Sequence, residues 1–285
     1  MKSKLWCTFL AIVVGLMSVG SHSFAADCMA LKKTIKMERD LKKKRKMISE
    51  AIIQCPEDPV FNYKYALSLE RFRKYEKALS YYQKAILYNP KMAKAYIGMG
   101  DVYVYQGLLD EAINAYRKGV SLMPGDERAA SRLARLEIKR KAMVGEILTV
   151  SEVLKVMDQM GKISTNMPLL LIGPALQYNV AFVEGSNNLL PTGIRQLGAV
   201  GQALQNDALH GVRFEIATHV ESALSSLSAL EDSKGRAQMI KDQLVTNFQV
   251  DPKRLDISWH GDTLPLELSG GGKLNERVEV KRIRE

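Results

Sequence analysis

The residues able to do chemistry are few, and their spacing does not favour catalysis. His219 and Glu221 stand two apart, so on a strand their side chains would share one face. A metal site there would need a third ligand such as His260, and a structural histidine is the competing reading. Ser222, Ser225, Ser226 and Ser228 crowd one segment, yet no Gly-x-Ser-x-Gly surrounds them to expose a nucleophile on a strained turn. Gly270-Gly271-Gly272 is not followed by Lys-Ser/Thr or a helix, so it reads as a flexible hairpin rather than a phosphate cradle. These patterns lead us to expect no enzyme, no bound metal and no cofactor.

The N-terminus bears on the compartment. Lys2 and Lys4 precede an apolar stretch, 5–17, that is too short to span a bilayer comfortably. Ser23-Phe24-Ala25 then places small residues where a signal peptidase cuts, so residues 1–25 read as a cleavable signal peptide, with an uncleaved anchor as the alternative. Asp27 before Cys28 argues against lipidation. Removal of Lys2 and Lys4 takes the net charge from +10 to +8. Export makes nucleic acid an unsuitable ligand for that charge, and no later apolar run reaches membrane-spanning length. Cys7 leaves with the signal, so Cys28 and Cys55 remain, and an oxidising compartment favours a bond between them. A helical hairpin between them would bring both to one end; one continuous helix would hold them roughly 40 Å apart.

These residues must be positioned by larger elements, and the first of these declares itself by period. Pro56, Pro90 and Pro124 lie 34 residues apart, with Ile48, Tyr82 and Tyr116 in the same register. Tyr96, Met99-Gly100, Tyr103, Gly107, Leu109, Ala112, Tyr116 and Pro124 fill one period densely. The preceding unit carries Ala66, Leu69, Tyr75, Ala78, Tyr82, Ala85 and Pro90. Small residues suit close helix contacts, Gly107 suits a tight turn, and proline ends the second helix. The pattern resembles the tetratricopeptide repeat, a helix-turn-helix unit.

The resemblance implies an all-α module over 26–145. Its repeats fall at about 59–92 and 93–126, with a degenerate repeat at 26–58 and a capping helix at 126–141. Such arrays bind peptides or partner proteins on the concave face of their first helices. By register the residues there are Tyr63, Leu67, Ile97, Asp101, Val104 and Tyr105, unless several of them only pack against the cap. The run Lys42 to Lys46 (KKKRK) is either a solvated helix face or a contact with an anionic surface such as phospholipid or lipopolysaccharide.

From Thr149 the pattern changes. Thr149-x-x-Glu152 is a capping box ahead of a short helix at 151–160, inside a connector spanning 146–175. Strands near 176–183, 212–218, 255–260 and 277–283 then alternate with helices near 192–205 and 226–247. That order implies a compact α/β sandwich, a small sheet with helices on one face.

Within it, Val250-Asp-Pro-Lys-Arg-Leu255, Gly261-Asp-Thr-Leu-Pro265 and Asn275-Glu-Arg-Val-Glu-Val280 resemble segments of OmpA-like domains in order and spacing. Thr218-His219-Val220-Glu221 stands where that family carries Gly-His-Thr-Asp, and Arg236-Ala237 falls at the family's spacing. The resemblance covers 176–285 and implies binding to the diaminopimelate stem peptide of peptidoglycan. Arg236 would clamp the ligand carboxylate and Glu221 would accept from its ammonium, with His219 at the family's histidine and Arg277 reaching in from the last strand. Glu221 in place of aspartate, Ala229 in place of an asparagine and Leu224 in place of a glycine depart from the pattern.

The expected protein is therefore a periplasmic adaptor, associated with the cell wall or outer membrane. It would hold peptidoglycan non-covalently through the C-terminal domain and dock an envelope protein through the repeats. The competing reading is a pure protein–protein assembly scaffold whose OmpA-like domain has lost its wall ligand.

Overall fold

The computed structural model describes residues 19–159, 175–178, 180–183, 185–221, 225–267, 273–274 and 276–283. The start of the signal segment, most of the connector, Leu224, Gly270-Gly271-Gly272 and Asn275 lie outside the described residues. Contacts divide the chain into two compact units, 1–99 and 100–285.

The first unit is a succession of antiparallel helices: α1 (Val19–Met37), α2 (Leu41–Gln54), α3 (Pro59–Arg71), α4 (Tyr75–Tyr88) and the start of α5 (Ala93–Gln106). Residues 28–55 form a hairpin, and its turn is made without glycine. Glu38 Oε1 accepts from the backbone N–H groups of Arg39 and Asp40, both at 2.9 Å. Asp40 then caps α2 by accepting from Lys43 N at 2.7 Å. The hairpin brings Cys28 and Cys55 together in a disulfide, their Cα atoms 6.0 Å apart. It closes a 27-residue separation, worth about 3–4 kcal/mol in the chain-entropy account. Ile35, Ile48, Ile52 and Phe61 pack beside it as this unit's core.

In the second unit, α6 (Leu109–Leu122) and α7 (Glu127–Met143) follow α5, and α8 (Val150–Gln159) leads toward the α/β layer. The capping box forms as its sequence requires: Thr149 N donates to Glu152 Oε2 at 2.9 Å and Glu152 N donates to Thr149 Oγ1 at 3.3 Å. The layer itself comprises β1 (Ala175–Tyr178), α9 (Pro191–Leu204), β2 (Phe214–His219), α10 (Ser226–Phe248), β3 (Leu255–Gly261), the short pair β4 (Leu266–Glu267) and β5 (Lys273–Leu274), and β6 (Arg277–Arg282).

Four strands form a mixed sheet in the order β1-β6-β2-β3. β6 is antiparallel to both β1 and β2, while β2 and β3 run parallel around α10. Alternation sorts the faces. Phe214, Ile216, Val278, Val280 and Leu255 are buried with Leu197, Ile240 and Leu244 of the helices. The other face carries Glu215, Ala217 and His219 opposite Lys281, Glu279 and Arg277.

The helical layer is not closed by α9 and α10 alone. Ile138 and Ala142 of α7, Leu148, and Val153, Val156 and Met157 of α8 belong to the same buried core as Phe214 and Val280. Leu148 N also donates to the buried Gln196 Oε1 of α9 at 2.7 Å. The sequence suggested a capping helix and a connector here; among the described residues the end of α7 and α8 belong to the α/β core, because their apolar stripes face α9 and the sheet.

Candidate functional site

The site is built where β2 ends and β6 begins. Ser233 of α10 fixes the geometry. Thr218 Oγ1 donates to Ser233 O, and Ser233 Oγ donates to Thr218 O, both at 2.7 Å. His260 N reaches Ser233 Oγ at 3.2 Å, so one serine ties the helix to two strands. Gly261 allows this close approach. It has φ +52, and a Cβ there would come within 3.0 Å of Leu230 N. Ala229, the residue replacing the family's asparagine, lies fully buried beside it.

One turn beyond Ser233, Arg236 enters a cavity of about 130 Å³ lined by Val180, Ala181, Phe182, Thr218, His219, Arg236, Glu276, Arg277 and Val278. Its guanidinium carbon lies 4.4 Å from the centre of the Phe182 ring. Its ion pair is with Glu276, at 3.5 Å; the arginine side chain is 9% exposed and the glutamate 59%. The buried Arg236 Nε has no hydrogen-bond partner.

The other cation is committed elsewhere. Arg277 Nε donates to Glu279 Oε1 at 2.7 Å and a terminal nitrogen donates to Leu264 O at 3.0 Å. His219 lies beneath, 3% exposed, stacked on His260 with ring centres 4.8 Å apart. Neither of its ring nitrogens has a hydrogen-bond partner. Burial, reinforced by the Arg277 charge, lowers its pKa to about 4, so it is a neutral imidazole at neutral pH. The cavity thus offers one incompletely satisfied guanidinium, one neutral imidazole and one accessible carboxylate. That set suits a small ligand carrying a carboxylate and an adjacent cation. Among the described residues no group of three His, Cys, Asp or Glu side chains could hold a metal ion.

Of the residues singled out from sequence, His219, Arg236 and Arg277 meet in this cavity, whereas Glu221 is exposed at the end of β2 and outside its lining. The acid beside Arg236 is Glu276. It sits inside the Asn275-Glu-Arg segment, but only the tertiary approach of β6 to α10 reveals its place. Phe182, under the guanidinium, had no sequence signal.

The six repeat positions divide differently from expectation. Ile97 and Val104 are 4% and 0% exposed, so they fill helix contacts instead of lining a groove. The Asp101 carboxylate accepts from the Tyr116 hydroxyl and from Arg132, which keeps it within the fold. Burial, then the Asp101 charge, holds the Tyr116 hydroxyl protonated far above its ordinary range. Tyr63, Leu67 and Tyr105 remain half-buried and are the reachable members of the set.

Comparison with known proteins bears on both parts. A tetratricopeptide-repeat family model matches residues 71–136 and an OmpA family model matches residues 181–278. The chain carries tetratricopeptide repeats and a C-terminal OmpA-family domain. No curated protein matches it. Among solved structures it is similar to the first tetratricopeptide-repeat domain of Spaghetti (RPAP3) bound to the HSP90 peptide SRMEEVD. The identity is 22% and the TM-score 0.36, covering 39% of this chain and 91% of that one. The second such domain of human RPAP3, in complex with the HSP70 peptide SGPTIEEVD, is 21% identical with a TM-score of 0.34, covering 41% and 98%. MamA is also similar, at 21% identity and a TM-score of 0.33, covering 42% and 80%.

Proposed function

We propose that this chain is a non-enzymatic adaptor of the periplasm that holds peptidoglycan through its OmpA-family domain and docks an envelope protein through its repeats. The repeats point to protein–protein interaction and the C-terminal domain to peptidoglycan association. Among the described residues no helix is long and apolar enough to cross a membrane. The observation that carries the reading is Arg236, a buried guanidinium over an aromatic ring whose Nε lacks a partner and whose counter-ion is an exposed glutamate.

Diaminopimelate bears an ammonium and a carboxylate on one carbon. Arg236 would take the carboxylate, and the ammonium would be received by Glu276, which pairs with Arg236, or by Glu221 of the family motif. Each such contact is worth roughly 1.5–3 kcal/mol when shielded from water. On the first unit the partner would reach the repeats at Tyr63 and Leu67, which are half-buried.

Co-sedimentation with diaminopimelate-type sacculi tests the reading, run at low and raised salt beside Arg236→Ala. Wild-type protein is expected to pellet at both salts while the variant stays in solution. Salt-sensitive pelleting of both proteins, or of neither, favours instead an assembly scaffold that has lost its wall ligand. The buried Ala229, which supplies no amide to a ligand, is the feature that supports this second reading.

A further inference from the structure

The net charge is concentrated at one end of the chain. Residues 26–99 hold seventeen Lys and Arg against eight Asp and Glu, a net +9, whereas 100–285 hold twenty-two against twenty-three. Within the first unit the charge is densest around two turns, 38–40 between α1 and α2 and 72–74 between α3 and α4. The start of α2, just after the first turn, meets the second: the Arg45 guanidinium carbon lies 4.4 Å from the centre of the Phe72 ring.

Large apolar side chains project from the same place. Met37 is 73%, Leu41 74% and Phe72 52% exposed. Single exposed apolar residues are ordinary, but three at one tip inside a cationic collar are not. Lys36, Arg39, Lys42, Lys43, Arg71 and Lys74 are all exposed there. Four acids lie at or beside the tip and leave the cations in excess: Glu70 accepts from the Tyr82 hydroxyl at 2.6 Å, Glu76 is exposed in the first turn of α4, and Glu38 and Asp40 are engaged within the first turn. Glu38 accepts from the turn backbone and pairs with Lys43 at 3.0 Å, and Asp40 caps α2. The field is strong enough to disturb a neighbour: burial, then repulsion from Lys44, lowers the pKa of Lys64 on α3.

We infer that this tip docks on an anionic phospholipid surface, with Met37, Leu41 and Phe72 entering the interface and the collar of lysines and arginines lying among the headgroup phosphates. The shape selects this occupant. A peptide needs a groove, whereas here highly exposed apolar groups flank two turns among cations, the arrangement an interfacial anchor requires. Apolar insertion and charge attraction then act together, as stable peripheral binding demands.

The test is co-flotation of the chain from Ala26 onward, its disulfide intact, so that the apolar run at 5–17 plays no part. The vesicles are phosphatidylethanolamine/phosphatidylglycerol and, separately, pure phosphatidylcholine. Wild type is expected to float with the anionic vesicles at physiological ionic strength and not with the neutral ones. Replacing Met37, Leu41 and Phe72 together by serine is expected to weaken binding at least about tenfold, with an unchanged circular-dichroism spectrum. Arg39→Glu and Lys42→Glu should each weaken it by about fivefold or more. Leu41→Trp supplies a reading independent of the triple variant: its emission should shift to the blue on anionic vesicles alone. Equal binding to neutral vesicles, no binding to either, or a serine variant that floats like wild type would each overturn the inference. So would retention on an acidic peptide with none on vesicles.

Discussion

Arg254 shows how much one side chain of the Val250–Leu255 motif does. Its guanidinium donates to the carbonyl oxygens of Val212, Leu204 and Leu209, at 2.9, 3.1 and 2.8 Å, which joins the end of α9 and the approach to β2. Three carbonyls on one planar fork cannot be matched by an ammonium. Arg254→Ala should destabilise the protein by about 2–4 kcal/mol, and Arg254→Lys should recover little of it, as read from urea unfolding midpoints. At this scale the sequence was informative where a motif named the residue. Arg236, Arg277, His219 and Arg254 all lie in or beside recognisable segments, and three of them meet in the cavity. Glu276 and Phe182 were not legible, because their roles depend on which distant backbone comes close. Glu221 matches a motif position and yet lies outside the cavity lining, because a motif match alone does not say where a carboxylate is carried.

At the scale of the element, the 34-residue period makes a comparison within the chain. Gly107 sits in the turn between α5 and α6 with φ +77, and the residue one period earlier, Arg73, adopts φ +57 in the turn between α3 and α4. A side chain in that conformation costs about 1–2 kcal/mol, and glycine does not incur it, although it loses some of the gain through a more flexible unfolded chain. Arg73→Gly should therefore raise stability by about 0.5–1 kcal/mol, while Gly107→Ala should lower it by about 1 kcal/mol; thermal melts of the two variants should move in opposite directions. Periodicity and alternation located the long helices and β2, β3 and β6 to within a few residues, since both report which face must be buried, but they overran β1, which ends at Tyr178, and did not mark the pair β4–β5. They could not say that Ile97 and Val104 turn inward, because a first helix of a repeat is contacted on two sides and its register alone does not separate groove from core.

Across the second unit as a whole, the least predictable feature is Lys139 of α7, buried with 7% exposure near Arg135 and Glu279. Burial lowers its pKa from 10.5 to about 7, against the attraction of Glu279. Between those two pH values the unfolded chain keeps a proton that the folded chain has released, so stability rises with pH across that window and is lowest below it. Lys139→Met should flatten this dependence and stabilise the protein at pH 7 and below, by on the order of a few kcal/mol; denaturant midpoints between pH 6 and about 10 would read it. A charged residue on a capping helix gave no sequence hint of burial, because what surrounds it is assembled from separate parts of the chain, with β1 against α7 and Glu279 from β6.

That shared core also bears on how such a chain can have come together. A protein segment can be cut from one gene and joined to another only if its surface is complete without its old neighbour. Here the hydrophobic layer over β2 and β6 is finished by Ile138, Ala142, Leu148, Val153, Val156 and Met157, all upstream of the segment a family resemblance would mark out. A copy beginning at residue 176 would leave that layer uncovered. A fragment cut there is therefore expected to express poorly or aggregate, whereas one that begins before α7 keeps the layer whole.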